Sequence, residues 1–124
     1  MGKTVTLDKD QLREISMDDH ELMRELVEAL VEDTSKQIGL LQLAVRDGDA
    51  DRCRRLAHYS KGACSNLGAR SAAELLTTIE QLATQAEFAE CGFALARLAM
   101  EIDLLRGEAA SLGALTPLAA PAAD

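Results

Sequence analysis

The feature that most constrains this chain is a long stretch of sequence that nothing prevents from being helical. Both prolines, Pro117 and Pro121, lie near the C-terminus, so no earlier residue breaks a helix by its ring. Apolar side chains recur at intervals of three and four residues through most of the chain, which is the period of an amphipathic α-helix. The connections between these segments are short, and short connections favour antiparallel neighbours. The sequence therefore predicts an all-α chain of antiparallel helices.

Five helices follow from the pattern. Asp8, with Gln11 three residues later, resembles a capping box and opens a short helix through about Ile15. Ser16, with Asp19 three residues later, is a similar start to a long helix. The long helix ends near Arg46, and the later helices are expected at about 49–67, 70–85 and 89–111.

Glycines and aspartates mark the breaks between the helices. Gly48 is expected as a left-handed cap, Asp49 as the next N-cap, and Gly68 as the turn between the third and fourth helices. The fourth helix is expected to bury Ala72, Leu75, Leu76, Ile79, Leu82, Ala83 and Ala86. The fifth is expected to bury Phe93, Ala96, Met100 and Leu104, together with Leu95, Leu98, Ile102 and Leu105.

Length and composition limit the number of domains and the kind of core. The chain has 124 residues, which suits one domain, and we expect a helical bundle over 1–112 followed by a mobile Ala/Pro-rich tail over 113–124. With no tryptophan, one tyrosine and two phenylalanines, the core must be largely aliphatic. Cys53, Cys64 and Cys91 form no Cys-x-x-Cys pair, so we interpret them as small buried hydrophobic residues rather than zinc ligands or disulfide partners.

Charge and hydropathy exclude several classes of partner. The net charge of −8 argues against nucleic acid and anionic membrane surfaces. No apolar run approaches the length that spans a bilayer, and the N-terminus lacks a signal-peptide layout. We therefore expect a cytoplasmic protein.

One surface of the third helix has residues that suit a reactive site. At 100° per residue, His58 points away from the apolar side of that helix, and Lys61 and Gly62 lie one turn further on over the same patch. An imidazole is a nucleophile near neutral pH, an ammonium beside it can neutralise an anion, and a glycine leaves room for a large partner. On these residues alone, an ordinary solvated helix face remains the alternative.

The run His58-x-x-Lys61-Gly62, followed by Asn66-Leu67-Gly68-Ala69, resembles the signature of histidine-containing phosphotransfer (Hpt) domains. The flanking helices extend the likeness over about residues 8–112. The resemblance implies an antiparallel (up-down) four-helix bundle with a short extra N-terminal helix. It also implies a phosphorelay protein that accepts a phosphoryl group on His58 from a receiver-domain aspartate, or from a kinase, and passes it to another receiver.

Glu80 is the candidate partner of the histidine ring. His58 is ten residues before Gly68 and Glu80 is twelve after it, so both lie roughly 15 Å from the turn at about 1.5 Å per residue. A carboxylate at that level is expected to accept a hydrogen bond from Nδ1–H and leave Nε2 free to attack. The family often has a glutamate or glutamine there, although an ordinary exposed glutamate is the alternative.

Further roles follow from the resemblance and from position on the helix. Lys61 is expected to bind the phosphoryl oxygens, and Asn66 and Gly68 are expected to shape the turn. The surface offered to a partner is expected to contain Arg54, Arg55, Gly62 and Ser65. Ser60 stands where the family usually has leucine, and its hydroxyl is expected to bond to the carbonyl of Leu56.

No acidic cluster near His58 is suited to Mg²⁺, and no glycine-rich loop is suited to a nucleotide phosphate. We therefore expect no metal or cofactor of the chain's own, Mg²⁺ supplied by the partner receiver, and a phosphoryl carrier rather than an ATP-dependent kinase. The expected partners are response-regulator receiver domains and a hybrid or other sensor histidine kinase, met by a monomer.

Two other functions stay open at this point. One is a helical adaptor that binds receiver or kinase domains without being phosphorylated; an intact histidine, lysine and glycine set disfavours it. The other is the phospho-accepting domain of a larger chemotaxis-type kinase. The opening methionine and the lack of an ATP-binding domain favour a free-standing protein.

Overall fold

The computed structural model describes residues 5–114, which form five α-helices and, within that range, no strand. This confirms the predicted all-α architecture of a four-helix bundle with a short N-terminal helix. The helices are α1 (Lys9–Ile15), α2 (His20–Arg46), α3 (Ala50–Leu67), α4 (Arg70–Thr84) and α5 (Phe88–Ala114).

Aspartate side chains begin three of the helices. Asp8, Asp19 and Asp49 are the N-caps of α1, α2 and α3, and each accepts a hydrogen bond at 3.1 Å from the backbone N–H three residues later. The prediction that Ser16 starts the long helix was wrong. Ser16 ends α1, and its buried hydroxyl donates to the carbonyl of Leu12 at 2.8 Å, so it is not available to cap α2.

The four long helices form the bundle. α3 packs against α2 and α4, and α5 packs against the same two helices, so α3 and α5 occupy diagonal corners without an extensive contact. The core is aliphatic, as composition predicts, and Cys53, Cys64 and Cys91 are completely buried and unpaired. Burial raises the pKa of Cys53 and of Cys64 to about 11, which makes both thiols poor nucleophiles at neutral pH.

Half of the residues predicted to be buried on the last helix are exposed. Phe93, Met100 and Leu104 are 69%, 67% and 55% exposed, and Ala96 is exposed as well. The second predicted set, Leu95, Leu98, Ile102 and Leu105, is buried. The physical reason is that α5 carries apolar residues on two opposite sides, so its periodicity does not tell which side faces the core.

The ends of α4 and α5 also differ from the expectation. Ala86, predicted on the core face of the fourth helix, lies beyond the end of α4, exposed and with φ at 58°. α5 continues to Ala114, three residues past the predicted end. The predicted tail over 113–124 lies outside the described residues from position 115 onward.

The turn between α3 and α4 is fixed by the N-terminal segment. Gly68 has φ at 89°, and a Cβ there would lie 2.9 Å from the carbonyl oxygen of Asp8. The N–H of Asp8 donates to the Gly68 carbonyl at 2.7 Å, and the Asp8 carboxylate accepts from the Arg70 guanidinium at 2.8 Å. Both ends of the hairpin turn are therefore held, which sets the register of α3 on α4.

Candidate functional site

His58 lies on α3 with its ring directed to solvent. Its side chain is 70% exposed, while Cys53, Ala57, Ser60 and Cys64 form the buried face of the same helix. The outward position that the helical spacing predicts is therefore the observed one. A large partner can reach the ring without any rearrangement of the bundle.

The carboxylate of Glu80 on α4 holds one nitrogen of that ring. Oε2 of Glu80 lies 3.1 Å from Nδ1 of His58. Because an ionised carboxylate only accepts hydrogen bonds, this contact is a hydrogen bond when Nδ1 carries the proton. In the neutral ring Nε2 then keeps its lone pair, and it is the nitrogen turned away from Glu80. The structure thus brings together the two residues that the hairpin register predicts to meet.

Lys61 contacts the same carboxylate, which the sequence reasoning did not anticipate. Its Nζ donates to Oε1 of Glu80 at 2.8 Å, and its side chain is 29% exposed. The hydrogen bond from Lys61 is the main reason that the pKa of Glu80 lies below its usual value; the contact with His58 lowers it further, while partial burial opposes both. Glu80 is therefore ionised at neutral pH and shared by two donors.

The predicted partner surface around the ring is open. Arg54 is ion-paired with Asp51 through Nη2 and Oδ1 at 2.5 Å, whereas Arg55 is exposed and forms no ion pair with any residue in the range 5–114. A Cβ added at Gly62 would meet no atom within 4 Å. Packing inside the chain therefore gives no reason for a glycine at position 62. Ser65 is also exposed on this helix.

The turn below the site is braced by Gln11, which was expected only to help cap α1. Nε2 of Gln11 donates to the carbonyls of Ser65 and Asn66, at 2.7 and 3.1 Å. The side chain of Asn66, which was expected to brace the turn, makes no hydrogen bond within the described part of the chain. Gln11 is visible in the sequence only as a local capping residue, and nothing there indicates a contact more than fifty positions away.

The expected hydrogen bond of Ser60 is absent. Its hydroxyl is completely buried and has no hydrogen-bond partner among residues 5–114, so the predicted bond to the carbonyl of Leu56 was wrong. The hydroxyl lies on the core side of α3, away from His58. It therefore concerns the stability of the bundle rather than the chemistry of the site.

Between residues 5 and 114, no group of three or more His, Cys, Asp or Glu side chains is arranged to hold a metal ion. Over the same range, none of the helices combines the length and apolarity that crossing a membrane requires.

Comparison with known proteins gives a family and a similar structure. The sequence model of the Hpt domain matches residues 25–108. The fold is similar to the crystal structure of histidine-containing phosphotransfer protein B (HptB) from Pseudomonas aeruginosa PAO1, with a TM-score of 0.79 and 24% sequence identity over 88% of this chain and 95% of that chain. No curated protein sequence matches.

Proposed function

Because this chain belongs to the Hpt domain family, we propose that His58 is the residue on which it carries a phosphoryl group. A protein of this family is a histidine phosphotransfer protein of phosphorelay signalling, and a phosphoryl carrier rather than a kinase. The observation that most supports His58 is its exposed side chain, whose Nδ1 is engaged by Glu80 and whose Nε2 is left free of that carboxylate.

The proposed acceptance step uses the Nε2 lone pair of the neutral ring. Nε2 attacks the phosphorus of an aspartyl phosphate on a receiver domain, the bond from phosphorus to the aspartate oxygen breaks, and the aspartate leaves as a carboxylate. The ring keeps its proton on Nδ1 and becomes positively charged. The Glu80 carboxylate, 3.1 Å from Nδ1, stabilises that charge, and the reverse step returns the phosphoryl group to a second receiver.

Lys61 is proposed to exchange its partner when the phosphoryl group arrives. In the unloaded chain its ammonium is bound to Glu80 at 2.8 Å. Once Nε2 carries a dianionic phosphoryl group and the ring has become a cation, the phosphoryl oxygens compete for the ammonium. Lys61 then pairs with those oxygens through a charge-assisted hydrogen bond.

The receiver domain is proposed to supply the metal ion for the reaction. Phosphoryl transfer needs positive charge on the equatorial oxygens, and we assign the Mg²⁺ that provides part of it to the receiver domain. The family implies contact with receiver domains and histidine kinases. The proposed contact surface is Arg54, Arg55, Gly62 and Ser65 around His58. Incubation with labelled ATP and Mg²⁺ alone should leave the chain unlabelled.

The test is transfer of label from a phosphorylated receiver domain. The wild type and His58→Gln are mixed with it, and His20→Gln serves as the matched control because His20 is the other histidine in the chain and is also exposed. Wild type and His20→Gln should acquire an acid-labile label, and His58→Gln should acquire none. Label on His58→Gln would move the site elsewhere. Binding of the receiver without any labelling of the wild type would support the adaptor function instead.

A further inference from the structure

The outer face of α5 carries a continuous uncharged row of side chains, which we call the α5 stripe. Three of its members are large and well exposed: Phe93, Met100 and Leu104, at 69%, 67% and 55%. The row repeats at four and three residues and is about 33 Å long at about 1.5 Å per residue. Its members are Ala89, Phe93, Ala96, Met100, Leu104, Gly107 and Ser111.

The α5 stripe lies apart from the phosphotransfer site. α5 and α3 occupy diagonal corners of the bundle, and the stripe is on the side of α5 opposite its buried residues, so it faces away from His58. Helix packing within the bundle already uses the other side of α5. Large exposed apolar side chains that adjoin one another on a helix face are a feature of interaction sites.

We propose that the α5 stripe binds the α5 stripe of a second copy of this chain, in antiparallel orientation, with Met100 at the two-fold axis. In that register, two stripe positions meet when their numbers add to 200. Phe93 then faces Gly107 of the second copy, and Ala96 faces Leu104 of the second copy. Each bulky side chain meets a small one, and Met100 meets itself, which is the large-against-small packing that interfaces between helices use.

Charge along one edge of the stripe supports the same register. In an antiparallel two-fold pair, the same edge of both helices comes together. Arg97 lies on the edge that also carries Glu101, and in the proposed register these two residues of opposite copies are about one helical turn or less apart. Arg97 is exposed and forms no ion pair within the described range. Arg97 of one copy and Glu101 of the other thus place opposite charges at nearly the same level of the proposed interface.

The proposed contact is small. One helix face on each side falls at or below the lower end of specific interfaces, about 1,200 Å² in total, so the dimer should be weak and depend on concentration. It leaves His58 of both copies accessible, since α3 is at the far corner of each bundle. The proposed dimer differs from the monomer that was expected from the sequence.

Sedimentation equilibrium over a wide concentration range is the first test. The wild-type mass should rise from 13.3 kDa towards twice that value, and Met100→Glu should stay at the monomer mass. Met17→Glu is the matched control, because Met17 is 82% exposed and lies off α5; it should associate like the wild type. A wild type that remains at the monomer mass up to millimolar concentration would overturn the proposal.

Gly107→Leu distinguishes an interface in the proposed register from non-specific apolar association. A Cβ at Gly107 meets no atom within 4 Å, so we expect the substitution to leave the fold intact, and circular dichroism checks this. It enlarges the apolar surface but fills the space that Phe93 of the second copy would occupy. The dimer dissociation constant should rise at least tenfold. Association that is unchanged or stronger would contradict the register.

Crosslinking tests the two-fold axis directly. All three native cysteines are completely buried, so an added cysteine is the accessible one. Met100→Cys should form a disulfide-linked dimer rapidly under mild oxidant, because the two copies of residue 100 meet at the axis. Met17→Cys should form it much more slowly. Equal rates for the two variants would contradict the proposed axis.

Discussion

Nζ of Lys61 lies 2.8 Å from Oε1 of Glu80, on the carboxylate whose other oxygen contacts the ring of His58. The cation proposed to pair with the phosphoryl oxygens is thus bound, in the unloaded chain, to the residue proposed to orient His58. In the proposed mechanism the carboxylate keeps the ammonium at the site before any phosphate arrives and releases it to the phosphoryl oxygens afterwards.

Replacing Lys61 should change the ionisation of Glu80. Lys61→Met removes the hydrogen bond that contributes most to the lowered pKa of Glu80, so that pKa should move up towards the usual glutamate value. A pH titration of the Glu80 side-chain carboxyl carbon by NMR measures it. Lys36→Met, on an exposed position of α2, should leave Glu80 unchanged. If the titration of Glu80 is identical in Lys61→Met and the wild type, the ion pair does not form in solution.

Glu80 should also make stability depend on pH. Because its pKa is lower in the folded chain than in the unfolded chain, its stabilising contribution is present above the unfolded value, about 4.3, and is lost as the pH falls through the folded value. Glu80→Gln should therefore be less stable than the wild type at pH 7, by up to about 1 kcal/mol for a partly exposed pair. The difference should shrink towards zero near pH 2 to 3. Urea unfolding at both pH values tests this, and a difference that persists in acid would contradict it.

Gly62→Ala should make the fold more stable and phosphoryl transfer slower. Since a Cβ at position 62 meets no atom within 4 Å and alanine favours a helix interior, the free energy of unfolding should rise by about 0.5–1 kcal/mol. The rate of phosphoryl transfer from a receiver should fall, because the added methyl group lies where the receiver is proposed to approach. Gly92→Ala on α5 is the control: it also has open space, and it should leave transfer unchanged. Unchanged transfer in Gly62→Ala would remove Gly62 from the contact surface.

Gly68→Ala should be the most damaging glycine substitution. Its φ of 89° is left-handed, and the new Cβ would lie 2.9 Å from the Asp8 carbonyl oxygen, a backbone atom that cannot turn away. A loss of about 1–3 kcal/mol in the free energy of unfolding is expected. Urea denaturation of Gly68→Ala beside Gly92→Ala, where a gain is expected, makes the comparison. Equal stability of the two variants would show that the turn tolerates a side chain.

Two buried serines should respond in opposite directions. Ser60→Ala removes a hydroxyl that has no partner in the described chain and should stabilise the fold by about 1 kcal/mol. Ser16→Ala removes a hydroxyl that donates to the Leu12 carbonyl at 2.8 Å and should destabilise it by about 1 kcal/mol. Thermal unfolding of both variants is the measurement. A loss of stability in Ser60→Ala would indicate that its hydroxyl has a partner in solution, such as a buried water.

The part of the site that could be predicted from sequence is the part that helix geometry sets. The rise per residue and the turn at Gly68 place His58 and Glu80 at the same level of one hairpin, and the structure has them in contact at 3.1 Å. The helix starts at Asp8 and Asp49 were predictable for a similar reason, because an N-cap is a local hydrogen bond.

What could not be predicted depends on contacts that spacing does not encode. The helical period of α5 fits two faces equally well, so Phe93 and Met100 were assigned to the wrong side. Ser16 was predicted to start α2, but its hydroxyl bonds to Leu12 and the N-cap is Asp19. Gln11 reaches the end of α3 across more than fifty positions. The contact of Lys61 with Glu80 depends on side-chain rotamers, which the sequence does not fix.

His58, Lys61 and Glu80 all belong to a single hairpin, and fewer than twenty-five consecutive residues contain them. α2 and α5 pack against that hairpin mainly through apolar side chains, and the N-terminal segment holds its turn. A different scaffold with the same apolar contacts and the same hydrogen bonds at the Gly68 turn could accept these two helices. The outer surfaces of α2 and α5 are then free to diverge, and to acquire new neighbours, without altering the relay chemistry.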